Sequence, residues 1–328
     1  MRRIKLLAVI AVAIPGTLAA CGGGNSGGGT ATSSGGTTAT CPTGTQTSGN
    51  GAQLSIGSKD FAEEQLMAQM AVDVLGAHGF TVSDTFTAAD PTIGKALSGG
   101  TIDMYWQYTG TELTDPGYLN LTAGQFPTDL AGAFAKVKAL DEAHQLCWVA
   151  PTQFDDTNGI AIKQNQAATF GTSLAAFGSY LTSHPSTKVC VQSEFLTRPD
   201  GLPGLVTTYG WPAASSFHYI QIGSTAEKAI ASGSCDAGEV YTTDSAIGVN
   251  SEVTLTDDKN LFPPDNAGLV VRSSVLQKYP SIGAWMTPVA AKLTTAVMLG
   301  LNAMVEIQNQ TVASVAHTWL VQNGFLSS

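Results

Sequence analysis

Charge is scarce in this sequence, and histidine is scarcer. Charged residues make up 12% of the 328 positions against 43% hydrophobic ones, and there are five histidines. These (His78, His144, His184, His218 and His317) are scattered, with no H-x-x-x-H or H-E-x-x-H spacing, so the familiar metal-hydrolase signatures are missing. There is no C-x-x-C pair and no P-loop. The acidic pairs Asp155-Asp156 and Asp257-Asp258 lack the spacing of a calcium loop and read as loop clusters. No Ser/His/Asp set stands out from its context. The expectation is a non-enzyme without metal or cofactor. Basic residues are also short: 15 Lys and Arg face 25 Asp and Glu, for a net charge of -10. Such a surface repels phosphate backbones and speaks against a nucleic-acid partner.

Long apolar runs are lacking too. The longest at the N-terminus, Leu6 to Ile14, has nine residues, too few to span a bilayer as a helix. It follows Arg2, Arg3 and Lys5 and is broken by Pro15-Gly16. This order of basic, apolar and small-residue regions predicts a secretory signal peptide over residues 1–20. Leu18-Ala19-Ala20-Cys21 resembles the bacterial lipobox, which implies lipidation of Cys21 and anchoring to the outer face of the cell membrane. Residues 21–51, nearly all Gly, Ser, Thr, Ala and Asn, predict a flexible tether. Within it Gly24-Asn25-Ser26-Gly27-Gly28 matches G-x-S-x-G, and Gly22 to Gly27 matches G-x-G-x-x-G. Neither follows a strand, so both are chance matches.

With Cys21 assigned to lipid, Cys41, Cys147, Cys190 and Cys235 remain. In an oxidising compartment four cysteines suggest two disulfides, with three connectivities open.

Order is expected to begin near Gln53. Leu54–Lys59 reads as a strand. Phe61–His78 carries Leu66, Met67, Met70, Val74 and Leu75 on one helical face and stops at Gly79,. Phe80–Phe86 alternates as a strand, Pro91–Ser98 is helical, and Ile102–Trp106 is a strand. The same alternation returns at Lys188–Gln192, Thr225–Ser232 and Ala237–Tyr241, and Ile282–Leu320 is largely helical. Strand–helix alternation predicts an α/β fold with mostly parallel sheets. The chain divides into two lobes, one of residues 52–155 plus 263–328 and one of 156–262, crossing between them twice. On this division Cys41 and Cys147 fall on the side of the first lobe and Cys190 and Cys235 in the second, which favours the pairs 41–147 and 190–235.

Five motifs carry a family resemblance. They are Ile56-Gly57-Ser58-Lys59-Asp60-Phe61-Ala62-Glu63-Glu64; Gly100 to Thr111 (GTIDMYWQYTGT); Ser193-Glu194-Phe195 with Arg198-Pro199-Asp200-Gly201; Val240-Tyr241-Thr242-Thr243-Asp244; and Asp257-Asp258-Lys259 with Phe262-Pro263-Pro264. In order and spacing they resemble the glycine betaine/choline/carnitine-binding lipoproteins of osmoprotectant ABC importers, over roughly residues 53–325. The resemblance implies a two-lobed type II periplasmic-binding-protein fold with a hinge, closing on a small quaternary-ammonium or zwitterionic solute. Separate permease and ATPase subunits are the implied partners, and a monomer the implied state.

The resemblance also implies site residues. Tyr108 and Tyr241 are placed as walls of an aromatic cage around the cation. Lys59 and Arg198 are placed as a carboxylate clamp, with Thr109 and Thr111 as added donors. Two positions depart from the pattern. After Phe154-Asp155-Asp156-Thr157 the family's usual cage tyrosine is Asn158, and after Phe262-Pro263-Pro264 it is Asp265. Asn and Asp suit a donor-bearing cation or a hydroxylated solute better than a bare quaternary ammonium. Both also read as turn residues, Thr109 also reads as a helix cap, and Arg198 also reads as a surface partner of Asp200. Trp106, Phe195 or Trp211 are candidates to restore the cage. Receptors for a polyol, an amino-acid derivative or a sugar-like solute, and an exported sensor or enzyme, are the alternative readings.

Overall fold

The computed structural model describes residues 40–45, 48–122, 124–223 and 225–327. The signal segment, Cys21 and the tether up to residue 39 lie outside the described residues.

Ten strands form two sheets of five. The first contains β1 (Gln53–Ser58), β2 (Thr81–Thr87), β3 (Met104–Tyr108), β4 (Leu146–Val149) and β10 (Ala267–Arg272), in the order β2-β1-β3-β10-β4. The second contains β5 (Asn158–Lys163), β6 (Val189–Gln192), β7 (Tyr219–Ile222), β8 (Ala237–Tyr241) and β9 (Glu252–Thr254), in the order β7-β6-β8-β5-β9. In each sheet one strand runs against the other four, β10 in the first and β5 in the second. These are the strands that follow a passage between the sheets. A chain arriving without a crossover helix enters its sheet antiparallel, whereas the βαβ steps around it stay parallel.

Helix α1 (Ala62–Ala77) buries Leu66, Met67, Met70, Val74 and Leu75, the face read from the sequence, at no more than 4% exposure. Each such side chain contributes roughly 1.5–3 kcal/mol when fully buried. The C-terminal stretch is three helices, Ile282–Ala290, Thr295–Glu306 and Val312–Gln322. They return to α1 and share its core through Ile282, Met286, Met298, Leu301 and Leu320. The second sheet has its own core around Phe177, Leu181, Val191, Leu205 and Trp211.

Two segments, residues 150–157 and 261–266, join the sheets and are bonded to each other. The Asp156 amide donates to the Asp265 carbonyl (3.0 Å) and the Asp265 amide to Asp155 Oδ1 (2.8 Å). Thr157 Oγ1 donates to the Pro263 carbonyl (2.6 Å).

The end of the predicted tether is docked, and order starts earlier than Gln53. Cys41 is bonded to Cys147, and Cys190 to Cys235. The Gly44 amide reaches the Pro280 carbonyl (3.0 Å), Gly49 that of His78 (2.7 Å) and Gly51 that of Gly79 (2.7 Å). A Cβ on Gly49 would lie 2.5 Å from the Phe80 ring, so only glycine permits this approach,. The composition gave no sign of order because backbone bonds and a disulfide, not apolar side chains, hold the segment.

Candidate functional site

Open α/β sheets place ligands beyond the carboxyl ends of their strands. Here β1, β3, β6 and β8 bring Lys59, Tyr108, Gln192 and Tyr241 to one cavity of about 380 Å3, and the joining segments add Asp156 and Asp265. That volume suits a small molecule. A wider depression of about 570 Å3 around Lys163 and Asn250 holds no aromatic ring or carboxyl group.

The wall on the first sheet is a buried polar network. Lys59 Nζ lies 2.7 Å from Asp90 Oδ2 and donates to Gln107 Oε1 at 2.7 Å. It also stands 4.9 Å above the Tyr108 ring. The Tyr108 hydroxyl donates to Glu63 Oε1 at 2.7 Å. Asn302 Nδ2, from the helix Thr295–Glu306, donates to Glu63 Oε2 at 2.9 Å. Burial raises the Glu63 carboxyl pKa against these bonds, and pushes the neighbouring Glu64 up to about 8,. Phe61, 40% exposed, lies with its ring 6.1 Å from that of Tyr108.

Asp265 caps the helix (Thr109–Thr114) after β3. Its Oδ1 accepts from the Gly110 amide at 2.5 Å and the Thr111 amide at 3.4 Å. A Cβ on Gly110 would come within 2.8 Å of that carboxylate, so glycine permits the cap. Burial moves the Asp265 pKa up to about 8.

The wall on the second sheet is shorter-limbed: Tyr241, Thr243, Asp244 and Gln192. Thr243 Oγ1 donates to Asp156, whose carboxyl is raised by burial and then by Glu63. Burial, then the hydrogen bond to Glu227, lifts Asp244 to about 9. Two contacts run between the walls, Asn302 Nδ2 to the Thr243 carbonyl (3.3 Å) and Ser245 Oγ to Glu306 Oε2 (2.7 Å).

Of the residues named from sequence, Lys59, Tyr108, Thr111, Tyr241 and Asp265 meet at this cavity. Three do not line it. Thr109 Oγ1 turns to the Pro264 carbonyl and Asn266 Oδ1. Asn158 lines a separate cavity of about 310 Å3 with Asp155 and Asn260. Arg198 makes a two-pronged pair with Asp200, at 3.0 and 2.6 Å. Trp106 and Trp211 are buried with their indole N–H groups on the carbonyls of Met67 and Leu174, and Phe195 is buried in the second core. None of the three restores the cage. Phe61 is the added ring. It lies inside the first motif, as does Glu63, though neither was singled out there; Asn302 and Glu306 sit on an unremarkable helix and carried no local signal.

A profile of the substrate-binding domain of the ABC-type glycine betaine transport system (OpuAC) matches residues 52–322. The chain belongs to this family. It is therefore the extracytoplasmic solute-binding receptor of an ABC importer, not an enzyme. A glycine-betaine-binding protein of Pseudomonas aeruginosa is 30% identical over 280 residues, covering 83% of this chain and 88% of the relative. The glycine betaine-binding protein YehZ of Escherichia coli is 30% identical over 286 residues, 83% of this chain and 91% of the relative. The apo YehZ structure matches with a TM-score of 0.64 at 29% identity, over 84% of this chain and 99% of that one. A glycine betaine/carnitine/choline ABC transporter structure, at 21% identity, shares the fold with a TM-score of 0.70, over 83% of this chain and 99% of that one. Receptors of this family work with a permease and an ATPase. No helix among the described residues is long and apolar enough to cross a membrane.

Proposed function

We propose that the receptor captures a small quaternary-ammonium or zwitterionic osmolyte of the glycine betaine type in the cleft between its lobes and hands it to the permease. The observation that carries this is one cavity with an aromatic wall from each sheet, Tyr108 and Phe61 opposite Tyr241. A ligand touching both walls favours the closed form by its differential affinity. The lobes in this reading are residues 52–155 with 263–328, and 156–262. The names of the Pseudomonas and Escherichia relatives support the solute class.

The reading extends to the envelope. The receptor is a monomer held to the outer face of the membrane by lipid on Cys21. Cys21→Ala then releases it from the membrane fraction, which mass analysis of the mature N-terminus and fractionation check directly.

Calorimetric titration with glycine betaine, choline, carnitine, proline betaine and a polyol panel tests the ligand. The protein for this must keep Cys41 and its bond to Cys147. Binding of a quaternary ammonium that weakens in Tyr241→Ala supports the reading. Binding of polyols alone sinks it.

A further inference from the structure

Resting on this cleft as the ligand site, we propose that the helix Thr295–Glu306 latches it: Ser245 and Glu306, with Asn302 beside them, are positioning residues that set ligand affinity by holding the two lobes together across the cleft. Three features of the structure carry the inference.

The first is where the contacts fall. The two joining segments, residues 150–157 and 261–266, tie the lobes at the hinge. Away from them a pair of hydrogen bonds crosses the cleft, Ser245 Oγ to Glu306 Oε2 at 2.7 Å and Asn302 Nδ2 to the Thr243 carbonyl at 3.3 Å. A hinge leaves one rotation free. Bonds made beyond it stop that rotation, and they exist only while the lobes are closed on each other.

The second is how each side is held. Asn302 and Glu306 stand four residues apart in one helix, so they share a face and are spaced about 6 Å along its axis. That helix is fixed in the core of the first lobe by Met298 and Leu301, both at most 3% exposed. Their partners lie in one turn of the second lobe, closed by the Asp244 amide on the Tyr241 carbonyl (3.0 Å) and the Tyr241 amide on Asp244 Oδ2 (2.8 Å). A rigid helix gripping a closed turn at two points fixes both its distance and its orientation. The turn starts at Tyr241, the aromatic wall of that lobe.

The third is the continuation inward. Asn302 Nδ2 also donates to Glu63 Oε2, and Glu63 Oε1 accepts from the Tyr108 hydroxyl. Thr243 Oγ1 donates to Asp156 in the joining segment. The latch thus runs unbroken from Tyr108 to the turn that carries Tyr241. Ser245 is the member outside the cavity lining, whereas Thr243, Asn302 and Glu306 belong to it. Ser245 therefore reports on closure without altering a ligand contact. Bonds formed only in the closed form raise its share before any ligand arrives, and apparent affinity rises with that share.

Small-angle scattering of the unliganded, disulfide-intact chain and titration with glycine betaine test the latch. Ser245→Ala and Glu306→Ala should each give a larger radius of gyration than the unaltered chain, and Ser245→Thr, which keeps the hydroxyl, should not. Ser245→Ala should weaken glycine betaine binding about tenfold, the scale of one hydrogen bond to a charged group. The loss should come from faster dissociation, with association no slower. In a Glu306→Ala background the same change should add little, whereas a purely local role for Ser245 would cost the same in either background. Scattering unchanged in both variants, or a betaine affinity in Ser245→Ala within about twofold of the unaltered chain's, overturns the inference and leaves the receptor reading standing. An unaltered chain that ignores betaine counts against the receptor reading, and the scattering comparison, which needs no ligand, still decides the latch.

Discussion

The two walls of the cleft are built differently. The wall on the first sheet is a network closed before any ligand arrives: Lys59 on Asp90, Tyr108 on Glu63, Glu63 on Asn302. Its members come from β1, α1, β3 and a helix over 200 residues later (a separation of 239 between Glu63 and Asn302). The wall on the second sheet is mostly one strand end and its following turn, with Tyr241, Thr243 and Asp244 as neighbours in sequence and Gln192 added from the end of β6. One wall is therefore part of the folding core and the other is a local turn laid over it. Damage to the first should cost stability and binding together; damage to the second should cost binding alone.

The disulfides give the largest expected effects and probe the two lobes separately. Cys147→Ser opens a link spanning 106 residues and Cys190→Ser one spanning 45. Each should lower unfolding free energy by about 2–5 kcal/mol, with the longer loop losing more by under about 1 kcal/mol. Urea unfolding of both variants measures this, and equal losses would leave loop length without influence.

Glu63→Ala comes next. It strands the buried Tyr108 hydroxyl and one of the two Asn302 Nδ2 hydrogens, the other staying on the Thr243 carbonyl, for a loss of about 2–6 kcal/mol at about 1–3 kcal/mol per orphaned group. Glu63→Gln should restore much of it. A stability like that of the unaltered chain would break the contrast between the walls.

Tyr241→Ala should leave the unfolding free energy within about 0.5–1 kcal/mol of that of the unaltered chain. It should weaken ligand affinity by about 1–2 kcal/mol, the worth of a partly desolvated cation–π wall. Tyr108→Ala should move both quantities. Parallel calorimetry and denaturation of the pair sharpens the comparison.

A more gradual effect lies in pH. Burial holds protons on Glu64 and Asp265 to about pH 8, and burial together with Glu227 holds one on Asp244 to about pH 9. The unfolded chain loses them near the ordinary carboxylate range, about pH 4. The folded state binds more protons in between, so the stability they contribute is full below about pH 4 and is lost as pH rises through about 8 to 9. Unfolding midpoints should fall from mildly acidic to alkaline pH, and Glu64→Gln should flatten part of the slope. A midpoint that rises over this range would reverse the assignment.

How much of this was legible varied with the range of the interaction. The apolar face of α1, the alternation of strands and helices and the strand-end position of Lys59, Tyr108 and Tyr241 are written in neighbouring residues. So are the five motifs, which is why the family and its two-lobed fold followed from sequence. The docking of residues 40–45 and 48–51 was missed because their order comes from a disulfide and from carbonyls of residues 78–79 and 280. The Arg198–Asp200 pair was among the readings open from sequence, whereas the pairing of Lys59 with Asp90 carried no local signal.

By itself the sequence determined which side chains stand at the strand ends, because strand and helix periodicity is local and fixes where each turn falls. Only the tertiary structure decided which of those side chains remain available to a ligand. Ion pairs and buried hydrogen bonds join residues far apart in the chain, and whether a cation is free depends on which acid the packing brings within 3 Å of it. In this receptor the packing brings acids to the cations and leaves the acids in excess.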